Sequence, residues 1–206
     1  MWHSDHVPKR VDHEERRREI TEALFRIAAT QGLQAVTLRA VAAEAGISMN
    51  LVQYYFATKE EMLRYAWQRV TELSGERAGK IIAEALKTGD ERAILRACLL
   101  CVLPADERSR MVCAVQIAYF AVDVTRGSQT QDQQAMFPNL VRVLGEQIQQ
   151  AQAHSRIPAH LNPRLEAGTL ATMASGLMNG MMVDVHNLEQ ATELVDYRLG
   201  QLFTDR

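Results

Sequence analysis

Cysteine and proline are sparse in this chain, with three and five among 206 residues. Cys98, Cys101 and Cys113 all lie in apolar helical stretches. Their odd number does not make the disulfide framework of a secreted scaffold, and a reduced, cytoplasmic chain is expected. No run approaches the ~20 apolar residues that span a bilayer, and Met1 to Arg10 is polar with no hydrophobic stretch behind it, so neither anchor nor signal peptide is expected. Charge of one sign is missing as well. A formal net charge of −2 and a pI near 6.3 leave no global polycation, so any nucleic-acid contact must come from a local arrangement of side chains. No G-x-S-x-G, P-loop, G-x-G-x-x-G or H-E-x-x-H is present, and neither an enzyme nor a cofactor is expected. No segment combines period-two alternation, β-branched enrichment and a hairpin turn, which argues against strands.

What is there is helical periodicity in a chain 47% apolar and 23% charged, enough to build a globular core. Ile20, Leu24, Ile27 and Ala28 share one face of a first helix that ends at Gly32, with Glu15, Arg18, Glu22 and Arg26 on the others. Thr37 and Gly46 bracket a short helix carrying Leu38, Val41, Ala42 and Ala45. Ser48 is placed to cap the next, which runs to about Tyr55. Thr58 and Glu61 have capping-box spacing and open a long helix from Lys59 to about Thr88. Further starts fall at Asp90, after Pro104, near Ser128, at Asn162-Pro163 and at Asn187, giving an all-α fold of about nine helices. Glutamine-rich Gln129 to Gln134 and Gln147 to Gln152 read as solvent-facing helix.

The stretch from Val36 to Leu63 carries the functional signal. Two short helices meeting at Gly46 have the dimensions of a helix-turn-helix. Ala42 and Ala45 allow close approach, and Val41, Ile47, Val52 and Phe56 can fill a small core against Leu24 and Ile27. The second helix then presents Met49, Asn50, Gln53 and Tyr54 outward, a surface suited to a major groove. The same spacing fits an ordinary corner between two helices, which stands as the bland alternative.

Residues 14 to 63 resemble the DNA-binding head of the tetracycline-repressor (TetR) family, through Gly32, Thr37, Arg39, Val41-Ala42, Ala45-Gly46-Ile47-Ser48, Tyr55-Phe56 and Lys59-Glu60-Glu61. The family usually has tyrosine where this chain has Gln53. The resemblance implies an amino-terminal head over residues 1–60 and a helical effector-binding and dimerisation domain over 61–206. It also implies that Thr37 and Lys59 hold phosphates while Arg39, Ser48, Met49, Asn50, Leu51, Gln53, Tyr54 and Tyr55 complete the DNA surface; Tyr55 and Phe56 also suit the core. Lys9, Arg10 and Arg16 to Arg18 form a basic arm, open to a phosphate role or to plain solvation. The family's implied function is a ligand-responsive repressor that binds a palindromic duplex operator as a homodimer and is released by a small apolar or amphipathic effector.

The candidate dimer surface comprises Ala171, Ser175, Gly176 and Gly180 on the penultimate helix and Leu188, Ala191, Val195, Leu199 and Leu202 on the last, with Leu194, Tyr197 and Phe203 widening the final stripe. Candidate effector contacts are Trp67, Cys101, Met111, Gln116, Tyr119, Phe120, Asp123, Phe137, Met173, Asn179 and Met182, since methionine and aromatic side chains shape adaptable apolar cavities and buried polar groups orient a ligand. Each of these also fits plain core packing. The segment Gln131 to Leu140 is more loosely similar to BetI-type repressors, which does not by itself specify a ligand.

Other readings stay open. The Cys98-x-x-Cys101 spacing with Cys113 allows a thiol-based redox regulator, and a helical lipid-binding protein or enzyme with a non-functional head is a third class. His3, His6 and His13 sit in a terminus expected to be disordered, and no metal role is expected of them.

Overall fold

The computed structural model describes residues 9–126 and 131–204, with side chains for 13–118, 120 and 137–204. Nine α-helices and one 3-10 turn account for the regular structure of the described residues, none of which is in a strand. The helix start expected near Ser128, Gln129, His3 and His6, and the side chains of Lys9, Arg10, Tyr119, Asp123, Gln131, Gln133 and Gln134 lie outside what is described. No helix among the described residues is long and apolar enough to cross a membrane.

The chain divides into two units. The first reaches Glu72 and includes Ala114–Val122; the second holds Leu73–Cys113 and the chain from Asp123 onward. In the first, α1 (Lys9–Gln31) packs on α2 (Leu38–Ala45) and α3 (Met49–Tyr55). Its apolar face is the expected one: Ile20, Leu24, Ile27 and Ala28 are buried together with Val41, Val52 and Phe56. Ile47 is only half-buried and lines a surface depression with Arg16, Ile20 and Arg26. The first part of α4 (Lys59–Leu86) adds Met62, Tyr65, Ala66, Trp67 and Val70 to this core.

Local chemistry explains the short helices. Thr37 caps α2 by accepting from the Ala40 amide at 3.0 Å, and Ser48 caps α3 by accepting from Leu51 at 3.2 Å. Such caps are each worth about 1 kcal/mol, a large share of the stability of a helix of seven or eight residues. Gly46 ends α2 at φ 67°, a left-handed conformation that a residue with a Cβ adopts at a cost. At α4 the Thr58 hydroxyl accepts from the Glu61 amide at 3.1 Å, but the Glu61 carboxylate reaches back to the Ala57 amide at 3.0 Å rather than to Thr58. The expected reciprocal box is therefore displaced by one residue.

The second unit contains α5 (Glu91–Leu100), α7 (Gln131–Ala153), α8 (Pro163–Met182) and α9 (Leu188–Leu202), with α5 touching each of the other three and α8 lying against both α7 and α9. The helix α6 (Glu107–Arg126) begins in this unit. Asp90, Asn162 and Asn187 cap α5, α8 and α9 as their positions suggest, Asn187 within a complete capping box. Leu95, Leu99, Leu144, Ile148, Leu170 and Leu199 form the fully buried centre.

Two polar features hold the loops of this unit. Arg156 donates to Asp90 at 2.6 Å and to the buried Glu91 at 2.7 Å, and lies over the Phe203 ring. His154 meets the other oxygen of Glu91. Arg156 and His154 outweigh the desolvation of Glu91 and hold its carboxyl below the usual range. At the end of α8, Arg110 donates to the Met181 carbonyl and to Asp184, which occupies the left-handed region at φ 58°. There the His186 ring comes so close to Gly180 that a Cβ on that residue would lie 2.8 Å from it.

Candidate nucleic-acid interface

The helix α3 buries only Val52 fully. Asn50, Gln53 and Tyr54 are exposed, Tyr54 by 71%, and Met49 by 37%; Leu51 and Tyr55 are half-buried. Asn50 and Gln53 make no side-chain hydrogen bond to another described residue. One element therefore gathers two amides, a phenol and a thioether with their donors and acceptors unused. Thr37 and Arg39 on α2 are exposed, and Lys59 at the start of α4 is half-buried. The guanidinium of Arg39 and the ammonium of Lys59 form no ion pair with a described residue. Arg16, expected in a basic arm, pairs with Glu19, while Arg17 turns inward.

Arg17 is a residue whose role the sequence hid. Its guanidinium stacks 4.7 Å from the Phe56 ring centroid and 4.4 Å from that of Tyr65, and it reaches Glu61 at 3.4 Å. Tyr65 donates to Glu14 at 2.5 Å. Burial, with the Glu14 carboxylate beside it, pushes the Tyr65 phenol up to about 12. His13, expected in a disordered terminus, is instead on α1, with its ring 4.7 Å from that of Tyr55 and 6.1 Å from that of Tyr54. The cue for this seam was the spacing of His13, Arg17 and Thr21, four residues apart and so on one helix face.

The candidate effector residues are dispersed in environment. Trp67 is buried in the first unit; Cys101, Met111, Gln116, Met173 and Met182 are half-buried; Phe120 and Asn179 are exposed. The backbones of Tyr119 and Asp123 lie in α6. Phe137 lines an open groove between α7 and α8 with Val141, Arg164, Leu165, Gly168, Thr169 and Thr172, a surface that sequence reading did not single out beyond Phe137. Another missed residue, Arg77, donates to the carbonyls of Cys101, which ends α5, and of Leu103 in the turn that follows.

The candidate dimer residues divide. Ala171, Ala191, Val195, Leu199 and Leu202 have at most 1% of their surface exposed within one chain, so they have nothing to offer a partner. Their stripe is used by the unit's own core, because α9 packs on α5 and α8. Gly176 and Leu188 are exposed, Ser175 and Gly180 half-buried. The large apolar side chains left outward on this part of the chain are Leu165, Val183, Val185, Leu188, Leu194 and Tyr197.

The thiols do not resemble a reactive set. Burial pushes Cys98 up to about 12, Cys113 up to about 11, and Cys101 upward as well. A redox-sensing cysteine needs the opposite, a stabilised and accessible thiolate.

Residues 20–66 match the family described as bacterial regulatory proteins, tetR family. The chain is 32% identical over 115 residues to the HTH-type transcriptional regulator PksA of Bacillus subtilis (strain 168), a match covering 56% of this chain and 55% of PksA. It therefore spans about half the length of that relative. It is 26% identical over 193 residues to the HTH-type transcriptional regulator AcrR of Shigella flexneri, covering 89% of this chain and 86% of AcrR. In fold it is similar to a transcriptional regulator from Saccharomonospora viridis solved in complex with choline, with a TM-score of 0.80 and 18% identity over 94% of this chain and all of that one. The match to the tetR family model thus covers residues 20–66, and the Saccharomonospora viridis regulator shares the fold of nearly the whole chain.

Proposed function

We infer that this protein is a ligand-responsive repressor that binds a palindromic operator as a homodimer. The observation that carries the reading is α3 itself, a capped, two-turn helix that commits one side chain wholly to the core and leaves Asn50, Gln53 and Tyr54 exposed. Arg39 can bridge guanine O6 and N7, Asn50 and Gln53 can bridge adenine N6 and N7, and Met49 and Leu51 can meet thymine methyls. Thr37, Ser48, Tyr55 and Lys59 serve the backbone, which sets register rather than sequence.

A second copy is required because one seven-residue helix reads too few bases to find a genomic site, and a two-fold dimer multiplies discrimination over two half-sites. The exposed Leu194 and Tyr197 on α9 and Leu165 and Gly176 on α8 supply surface for it. The effector is a small apolar or amphipathic molecule held by helices of the second domain. The choline complex of the Saccharomonospora viridis regulator supports ligand binding on this fold, without specifying the ligand here. The helix α4 begins with Lys59 at the head and continues beyond Leu73, so a ligand-dependent tilt of α4 would change the spacing of the two heads. Linkage then demands that operator and effector weaken each other's binding.

The test is selection of duplexes from a random library by the purified protein, followed by salt-titrated binding. A palindromic consensus, bound by a dimer ~10³–10⁷ times more tightly than random sequence, is the expected result. Absence of any sequence preference would overturn the DNA-binding reading. Operator affinity indifferent to every ligand that binds would overturn only its sensory half.

A further inference from the structure

We propose that His13 is a positioning residue of the DNA-reading surface, its ring lodged against Tyr55 and set at an angle to Tyr54 so that α1 aims the carboxyl end of α3. The inference rests on the DNA-binding reading and extends it to a helix that reading leaves as scaffold. Among the described residues of the first unit, Tyr54 is the most exposed large hydrophobic side chain. A tyrosine so placed would ordinarily sample several rotamers and lose that freedom on docking. Here three rings meet: His13 and Tyr55 at 4.7 Å, Tyr54 and Tyr55 at 5.0 Å with planes 87° apart, and His13 and Tyr54 at 6.1 Å with planes 65° apart. These are the separations and edge-on attitudes at which aromatic pairs attract. The Tyr54 hydroxyl has no partner among the described residues, so the ring contacts hold the side chain while its polar end stays available.

The brace is itself anchored. Glu14, next to His13, accepts from Tyr65, and Arg17, one turn further on the same face, lies over both the Phe56 and Tyr65 rings and reaches Glu61. Phe56 directly follows α3 and Glu61 lies in the first turn of α4. Three consecutive points of α1 thus grip the segment on which the recognition helix ends, and His13 is the one that touches exposed recognition-helix side chains. An imidazole in this place does its work without contributing a phosphate contact.

The experiment uses full-length protein and the duplex it selects, with thermal melting recorded for each variant. His13→Ala should weaken operator binding by about 3- to 10-fold per half-site, from the worth of an aromatic pair. His13→Phe should restore it. In a Tyr54→Ala background, His13→Ala should have little further effect, and the slope of affinity against salt should be unchanged by His13→Ala in the Tyr54 protein. Wild-type affinity for His13→Ala, full additivity with Tyr54→Ala, or a salt slope reduced by about one per subunit would each overturn the proposal, the last by making His13 a direct phosphate contact. If the wild-type chain selects no sequence, the underlying DNA-binding reading fails first, and the two failures are thereby told apart.

Discussion

The helices α3 and α9 are both capped and both amphipathic, yet they use their two faces differently. In α9, Ala191, Val195, Leu199 and Leu202 disappear into the core of their own unit, and apolar Leu194 and Tyr197 remain outside. In α3 a single valine is fully buried and the outward face is polar and aromatic. The longer helix is held by what it buries. The shorter one is held by its neighbours: the Ser48 cap, Phe56 beneath Arg17, and the His13 ring. The surface proposed for DNA thus sits on an element with little cohesion of its own, while the surface proposed for a second copy sits on one that is stable without it.

The largest effect is expected on the outward face of α9. Replacing Leu194 and Tyr197 together by aspartate should yield a folded monomer by analytical ultracentrifugation, with operator affinity reduced toward the non-specific level because one half-site is lost. A dimer that persists would move the interface to another face. Next come the two cores: Phe56→Ala should cost about 3–5 kcal/mol and Leu199→Ala about 2–5 kcal/mol in chemical denaturation. Only Phe56→Ala should also weaken operator binding at temperatures where both variants remain folded. Smaller still, Arg39→Ala or Gln53→Ala should lose about 1–3 kcal/mol on the selected site and little on random duplex, while Lys59→Ala should weaken every sequence alike and flatten the salt dependence. Removing the cap with Ser48→Ala should cost about 1 kcal/mol of stability.

Acid and alkali should separate the units by their titrating groups. The depressed Glu91 carboxyl contributes stability that is present above its unfolded value and lost as pH falls through the folded one, so Glu91→Gln should flatten the acid side of the stability profile. The raised Tyr65 phenol contributes stability that is complete below 10 and lost as pH climbs toward about 12, so Tyr65→Phe should flatten the alkaline side. Melting curves across pH for both variants check the two signs.

Much of the head was legible because its information is local. Thr37, Gly46 and Ser48 each act on backbone within four residues, so caps and turn could be read directly from the order of residue types. Arg17 and His13 were not legible, since their partners Tyr65, Phe56 and Tyr55 lie some 40 to 50 positions away and nothing in periodicity marks a guanidinium for stacking. The α9 stripe shows the complementary difficulty. Period gives the apolar face of a helix but not whether that face meets its own chain or another, and Leu199 went to the core. Pro138 within α7 exposes a similar limit: the helix runs through a residue that offers no amide, as flanking turns carry it.

Gly180 carries one last consequence. As a small residue it was expected, with Gly176, on the candidate dimer surface, but the His186 ring lies where a side chain at 180 would begin. The two positions should therefore vary as a couple: an alanine at 180 is admissible when 186 shrinks, for instance to serine, and disruptive when histidine stays. A library randomised at both sites and sorted for folded protein would return that covariation as a linked pair, independent of anything the protein binds.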